Sequence, residues 1–322
     1  MFKLINYFIK ETLIAFYKIK DKYIVQKIIV KKGEVLSKED FEFSEDEFLS
    51  FLKTSFLENT QTYVATIIDT FNQGCVDSCN HSRYRELGIN LDNIKILCLK
   101  DYSIFIGLYE LNQYRKNLEK FQVDYIFSPY LLLHMKNKQT PNSFYLLYTE
   151  SFVTLLIYED ANKPKYSNIY QFKLIETDDS LSENNSDIDD LSDIDDIADE
   201  IEDIEEIESL DDIGDDIEDS IDDIDDIESS IGDDIDEKED IQDDIINTKN
   251  EIETIEFIKN SIKDYYESYS NQFLEIGYIL YDNDISSKFV KNIEEETFLD
   301  IKQEKVELLD MINELSLKEL NV

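Results

Sequence analysis

Glycine is scarce in this 322-residue chain. There are seven in all, and two of them, Gly214 and Gly232, fall inside an acidic repeat. Neither a Gly-x-x-x-x-Gly-Lys loop nor a Gly-x-Gly-x-x-Gly turn is present, so no glycine-cradled phosphate site is expected. Cysteine is limited to Cys75, Cys79 and Cys98; an odd number argues against a disulfide framework and for a reducing compartment. Histidine occurs only as His81 and His134. The one metal-like spacing, Cys75-x3-Cys79-x-His81, lacks a fourth ligand and the two-residue spacing of zinc sites, so no metal is expected. His134 sits in an apolar helical stretch and reads as a core or surface residue, which leaves no cysteine–histidine nucleophile. No apolar run reaches the roughly 18 residues of a membrane-spanning helix. The opening MFKLINYFIKETLIAFYK is broken by Lys10 and Glu11 and reads as two strands rather than a signal peptide, so a cytoplasmic location is expected. Bases number 31 against 74 acids, for a net charge of −43. That balance argues against nucleic acid and anionic membrane surfaces as partners.

Acid, by contrast, is concentrated. The stretch 178–245 holds 35 Asp and Glu with a single base, Lys238, and accounts for 34 of the 43 net negative charges. From Ile188 to Ile231 an Ile or Leu recurs every three or four residues. That is helical spacing, close to a coiled-coil seam. Asp is a poor helix former, costing up to ~0.7 kcal/mol per residue against Ala, and like charges at i,i+3 and i,i+4 repel. The expectation is a disordered or weakly helical low-complexity tether, with self-association through the Ile stripe as the alternative. Ile stands where a calcium loop needs ligands or its central glycine, so no tuned cation site is expected.

The remaining residues, 1–175 and 246–322, alternate strand and helix patterns. Strands are expected at 3–9, 12–18 and 23–30, with a turn at Lys20-Asp21-Lys22. A capping box at Ser44 to Glu47 opens a helix at 45–57. Further strands are expected at 63–71, 94–99, 103–108 and 123–127, with 72–74 a turn, 75–87 a loop, and helices at 109–120 and 130–135. A strand pair at 144–148 and 152–158 follows, then a strand at 166–174. Beyond the repeat come a helix with an Ile and Tyr stripe from Ile252 to Tyr269, a strand at 273–281, and helices near 287–295 and 304–320. The last piece offers essentially one strand, too little for a sheet of its own. It is expected to complete a sheet begun before the acidic insertion, giving an α/β fold.

This order resembles the bacterial actin-like proteins, closest to the pilus-assembly and type II secretion members. The segments that carry the resemblance are the three-strand start, the capped helix, YVATIIDTFNQG, FQVDYIFSPYLLL at 121–133, the hairpin at 144–170, and the helix 250–269 followed by FLEIGYILYD. The resemblance implies two ribonuclease H-like subdomains, with nucleotide held by two Asp-x-Gly hairpins and a double-glycine adenosine loop. Here those positions read Ile9-Lys10-Glu11-Thr12, Tyr148-Thr149-Glu150-Ser151 and Tyr281-Asp282-Asn283-Asp284. Without glycine the backbone cannot approach phosphates and its amides cannot converge on them. Glu150 and Asp282 stand as weak remnants of cofactor contacts, equally explained as turn residues; no catalytic residue and no cofactor are expected. The resemblance implies a non-enzymatic cytoplasmic adaptor of an inner-membrane assembly complex (type IV pilus, type II secretion or DNA uptake), binding a short cytoplasmic segment of its partner. Two alternatives stay open: a divergent ATPase of the actin and sugar-kinase superfamily, or an acidic chaperone acting through its repeat.

Overall fold

In a computed structural model of the chain, residues 10–58, 61–173, 236–269 and 272–320 are described. The described residues up to 173 and from 243 onward form one compact unit. The expectations for 3–9 and for the acidic repeat as far as 235 lie outside the described residues.

The chain begins with β1 (Glu11–Ile19), β2 (Lys22–Lys31), β3 (Glu34–Phe43), helix α1 (Glu45–Glu58) and β4 (Thr62–Ile67). Then come β5 (Gln73–Val76), α2 (His81–Glu86), β6 (Ile94–Cys98), β7 (Ser103–Gly107), α3 (Leu108–Leu118), β8 (Tyr125–Phe127) and α4 (Pro129–Met135). The second half has β9 (Ser143–Tyr148), β10 (Phe152–Asp160), β11 (Lys163–Gln171), α5 (Asp236–Ser268), β12 (Ile276–Tyr281), α6 (Ser287–Thr297), β13 (Asp300–Lys305) and α7 (Leu308–Leu320).

Two five-stranded sheets share one topology. Their orders are β3-β2-β1-β4-β8 and β11-β10-β9-β12-β13. In each, the first three strands form an antiparallel meander and the last two run parallel to the first. The strand following the acidic segment, β12, lies between β9 and β13, so the later piece completes the second sheet. A three-stranded antiparallel sheet, β5-β7-β6, is added to the first half between β4 and β8.

The expected elements differ from this in five places. The strands expected at 12–18 and 23–30 are β1 and β2, but a third, β3, was not expected, and the loop expected at 75–87 holds helix α2. Strand β3, EVLSKEDFEF, is a mostly exposed sheet edge and shows no apolar alternation; it is fixed by pairing with β2 along its whole length. The turn expected at 72–74 instead begins β5. Strand β4 stops at Ile67, after which the Gln73 amide donates to the carbonyls of Ile68 and Thr70, at 2.9 and 2.8 Å. The final helix begins at Leu308 rather than 304, because Asp300–Lys305 pairs in parallel with β12. Only Ile301 of that strand is buried, so no periodicity announces it. Helix α5 also reaches back to Asp236, where Lys238, Gln242, Asn247 and Lys249 dilute the acids of the repeat.

The capping box forms with its roles shifted. Glu47 accepts from both the Ser44 amide and the Ser44 hydroxyl, at 2.9 and 2.7 Å, and Phe48 N–H donates to the Ser44 carbonyl. Helix α1 then presses Phe48 and Leu52 onto Phe16, Tyr23 and Val25, each fully buried side chain contributing about 2 kcal/mol. Helices α5 and α6 cover the matching face of the second sheet through Ile258, Tyr265, Phe289 and Ile293.

The other face of each sheet meets the other half. Helix α4, at the end of the first half, packs on β9 and β10, while α7, at the end of the second, packs on β1, β4 and β2. Tyr130, Leu132 and Leu133 of α4 and Met311, Ile312 and Leu315 of α7 share one core with residues of both sheets. Asn313 of α7 donates to Gln26 of β2 at 2.8 Å, and Gln26 donates to Asp40 of β3, also at 2.8 Å.

Candidate functional site

In open α/β sheets, ligands gather outside the carboxyl ends of the parallel strands. Here those ends bring carboxylates together. Asp282 follows β12, and its amide donates to Tyr148 O at the end of β9. Its carboxylate accepts from Leu308 N–H, the first residue of α7, at 2.7 Å and from the Tyr17 hydroxyl of β1 at 3.2 Å. One side chain thus ties a strand end, a helix start and the opposite half together. Burial raises the Asp282 carboxyl above its ordinary range, and the Leu308 and Tyr17 hydrogen bonds work against that rise. The Tyr17 phenol is pushed far up by burial first, then by the charges of Asp282, Glu150 and Glu307. Asp69, just beyond β4, is raised by burial while its carboxylate takes a hydrogen bond from Gln171 of β11.

Glu150 lies in the β9–β10 turn, and its carbonyl accepts from Asn250 of α5 at 3.5 Å. The turn closes on itself: Thr149 N–H and the Thr149 hydroxyl both donate to Phe152 O, and Phe152 N–H donates to the Thr149 oxygen. Those amides are therefore spent internally rather than directed at a ligand. The matching hairpin of the first half is the β1–β2 turn at Lys20 and Asp21, with Lys20 at φ 51°. This corrects the placement at Ile9-Lys10-Glu11-Thr12, since Glu11 and Thr12 are paired within β1. Lys305, whose charge acts on Asp282, is itself paired with Asp284 at 2.6 Å. Polyphosphate would meet Glu150, Asp282 and Glu307 here, a field of its own sign.

A second feature is apolar. A groove of about 630 Å³ lies between β6 and β7 on one side and β8 with α3 on the other. Leu97, Ile104, Ile106, Leu111, Tyr125 and Phe127 line it, together with the charged Lys95, Arg115, Glu119, Asp124 and Glu319. Leu97 is 48% exposed. Among the described residues, strand β6 ends the small sheet and β8 ends the first large one, so two edge strands flank an apolar trough. Such edges are templates for an added strand.

The cysteine and histidine positions separate. Burial pushes the Cys75 thiol, on β5, well up, and the Cys75 amide donates to the Ser167 hydroxyl at 2.8 Å. Cys79 lies in the loop before α2, which His81 begins on the exposed side. His134 on α4 is half-buried, with Nδ1 3.4 Å from the Tyr158 hydroxyl; burial, then the charge of Lys318, lowers its pKa. Among the described residues no group of three or more His, Cys, Asp or Glu converges as a metal cluster, and no helix is long and apolar enough to cross a membrane. Sequence reasoning missed Tyr17, Asp69 and the groove. Asp69 carried a usable signal, an acid closing the apolar strand YVATII. The groove carried none, because its walls come from elements far apart in sequence.

Comparison with solved structures gives low identity over nearly the whole length. A Bacteroides thetaiotaomicron protein with actin-like ATPase fold and unknown function is 10% identical, with 95% of this chain and 96% of that one covered and a TM-score of 0.47. A PilM–PilN type IV pilus biogenesis complex gives 8%, 96%, 94% and 0.48 in the same terms. The ethanolamine utilization protein EutJ from Carboxydothermus hydrogenoformans gives 6%, 94%, 87% and 0.38. No curated protein matches. Residues 8–134 match a family described as a domain of unknown function, DUF8569. Residues 144–321, more than half of the chain, match the domain of unknown function DUF8341, and the chain belongs to that family.

Proposed function

We propose that this chain is a non-enzymatic adaptor with an actin-like pair of ribonuclease H-like subdomains. It acts at the cytoplasmic face of a membrane assembly complex of the pilus, secretion or DNA-uptake kind. The groove between β6–β7 and β8 receives a short extended segment of a membrane-anchored partner.

The groove carries this reading. It is lined mostly by apolar side chains and flanked, among the described residues, by two edge strands, a surface that suits an added strand with alternate side chains buried. The strand order repeated in both halves, with the closing helices exchanged, supports the actin-like assignment. The strand ends around Asp282 support an adaptor that does not use nucleotide. The Thr149 and Phe152 amides of the β9–β10 hairpin are internally satisfied, Glu150 and Asp282 are carboxylates, and Asp282 is engaged in holding α7 and Tyr17.

A photo-crosslinking residue placed at Leu97 in cells tests the groove, with one at exposed Leu57 as the control. The expected product, at Leu97 alone, joins the chain to the non-membrane segment of a membrane-anchored protein. Adducts with soluble proteins only, or the same adducts from both positions, would overturn the proposal. Calorimetry with ATP and Mg²⁺ tests the absence of turnover; no heat of binding is expected, and micromolar affinity would count against it.

A further inference from the structure

We propose that Cys79 and Cys98 are a reversible thiol–disulfide pair, joining the loop before α2 to the edge strand β6. Cys98 ends β6, is exposed, and pairs across the hairpin with Ser103. Ser103 donates its hydroxyl to Ser78 O at 2.5 Å, which brings the residue before Cys79 onto the hairpin. The Cys79 thiol then points at the β6–β7 turn, 3.6 Å from Leu99 O and 3.5 Å from Tyr102 O. Leu99 directly follows Cys98, so the Cys79 thiol lies beside the end of β6 that carries Cys98. The loop is held from its other side as well, since Asp77 is paired with Arg83 at 2.9 Å and with Lys165 at 3.2 Å. Both cysteines thus border the same turn on independently fixed backbone.

Their environments divide the work. Cys98 is the accessible sulfur and attacks first. Burial first, and then the neighbouring Cys98, push the Cys79 thiol up to about 11, so it stays protonated until the second step. Cys75, the third cysteine, lies on β5, partly buried against the core, with its thiol pushed up by burial, and takes no part.

The oxidant is a low-molecular-weight disulfide. The Cys98 sulfur attacks one of its sulfurs, that S–S bond breaks, and one thiolate leaves with a mixed disulfide formed on Cys98. Cys79 attacks Sγ of Cys98, the mixed disulfide breaks, and the proton of Cys79 passes to the second departing thiolate. Two protein thiols lose two electrons in total, and one small disulfide becomes two thiols. The bond would fix the end of β6, whose Leu97 lines the groove.

The test uses the full chain, reduced and then exposed to glutathione disulfide, with mass spectrometry and peptide mapping. The expected wild-type product has lost two hydrogens, keeps no glutathione, and yields linked Cys79 and Cys98 peptides with Cys75 free. Cys79→Ser should retain one glutathione on Cys98, and Cys98→Ser should take up none on Cys79. Amide exchange over 94–98 should slow in the linked form. Glutathione retained on Cys98 of the wild type without a link, a bond to Cys75, or a bond only between chains would overturn the pairing. Unchanged exchange in the linked form would overturn the fixing of β6. The wild-type map decides the pairing even if a variant is unstable.

Discussion

Asn313 and Gln26 lie 287 positions apart, yet the first donates to the second at 2.8 Å in the buried seam between α7 and β2. Asn313→Ala would leave Gln26 Oε1 buried without its donor, a loss of about 1–3 kcal/mol. Denaturant unfolding should show the midpoint falling by that amount with the slope unchanged. Asp282 makes a pH-dependent counterpart. Burial raises its carboxyl, so the folded chain holds this proton more tightly than the unfolded one. Its contribution is therefore full below the ordinary carboxylate range near 4 and declines as pH rises through the elevated folded value. Asp282→Asn cannot ionise and is free of that decline. Unfolding free energies of the two proteins, measured from pH 4 to pH 7, should diverge steadily in favour of the variant's slope. Parallel curves would mean that Leu308 and Tyr17 fully offset the burial.

At the scale of elements, β12 is the strand on which the second sheet closes, and Gly277 is its narrowest point. A Cβ there would sit 2.3 Å from the Phe144 ring and 2.6 Å from Ile301 Cδ1. Gly277→Ala should cost about 1–3 kcal/mol through overpacking, seen as a lower melting temperature, with Gly33→Ala a milder control affecting only a turn at φ 77°. Elements of this buried kind were legible from sequence. FVTLLIY, the Phe48-to-Phe56 stripe and the Ser44 box each carry a periodicity or a cap that their final environment preserves. Strands β3 and β13 were not, because each lies at a sheet edge and draws its order from pairing with β2 or β12. The candidate sites divide in the same way. The β9–β10 turn with Glu150 and the end of β12 with Asp282 could be placed from their flanking strands. The groove and the Cys79–Cys98 contact arise only when separate segments are brought together.

At the scale of the molecule, the two halves exchange their closing helices, so neither carries the cover for its own inner face. Residues 1–140 and 141–322, produced separately, should each melt without a cooperative transition. Produced together they should associate and regain one. Circular dichroism melts of the pieces and of the pair check this, and a half that unfolds cooperatively alone would contradict it. The place of the acidic segment has a different consequence. It leaves after β11 and returns at α5, and every strand pairing of the second sheet lies outside it. Loop closure depends only logarithmically on length, each doubling costing about 0.6 kcal/mol. Gain or loss of an Asp/Glu/Ile repeat unit here leaves each register of the second sheet untouched. Sister lineages can therefore inherit tracts of unequal length around one unchanged fold.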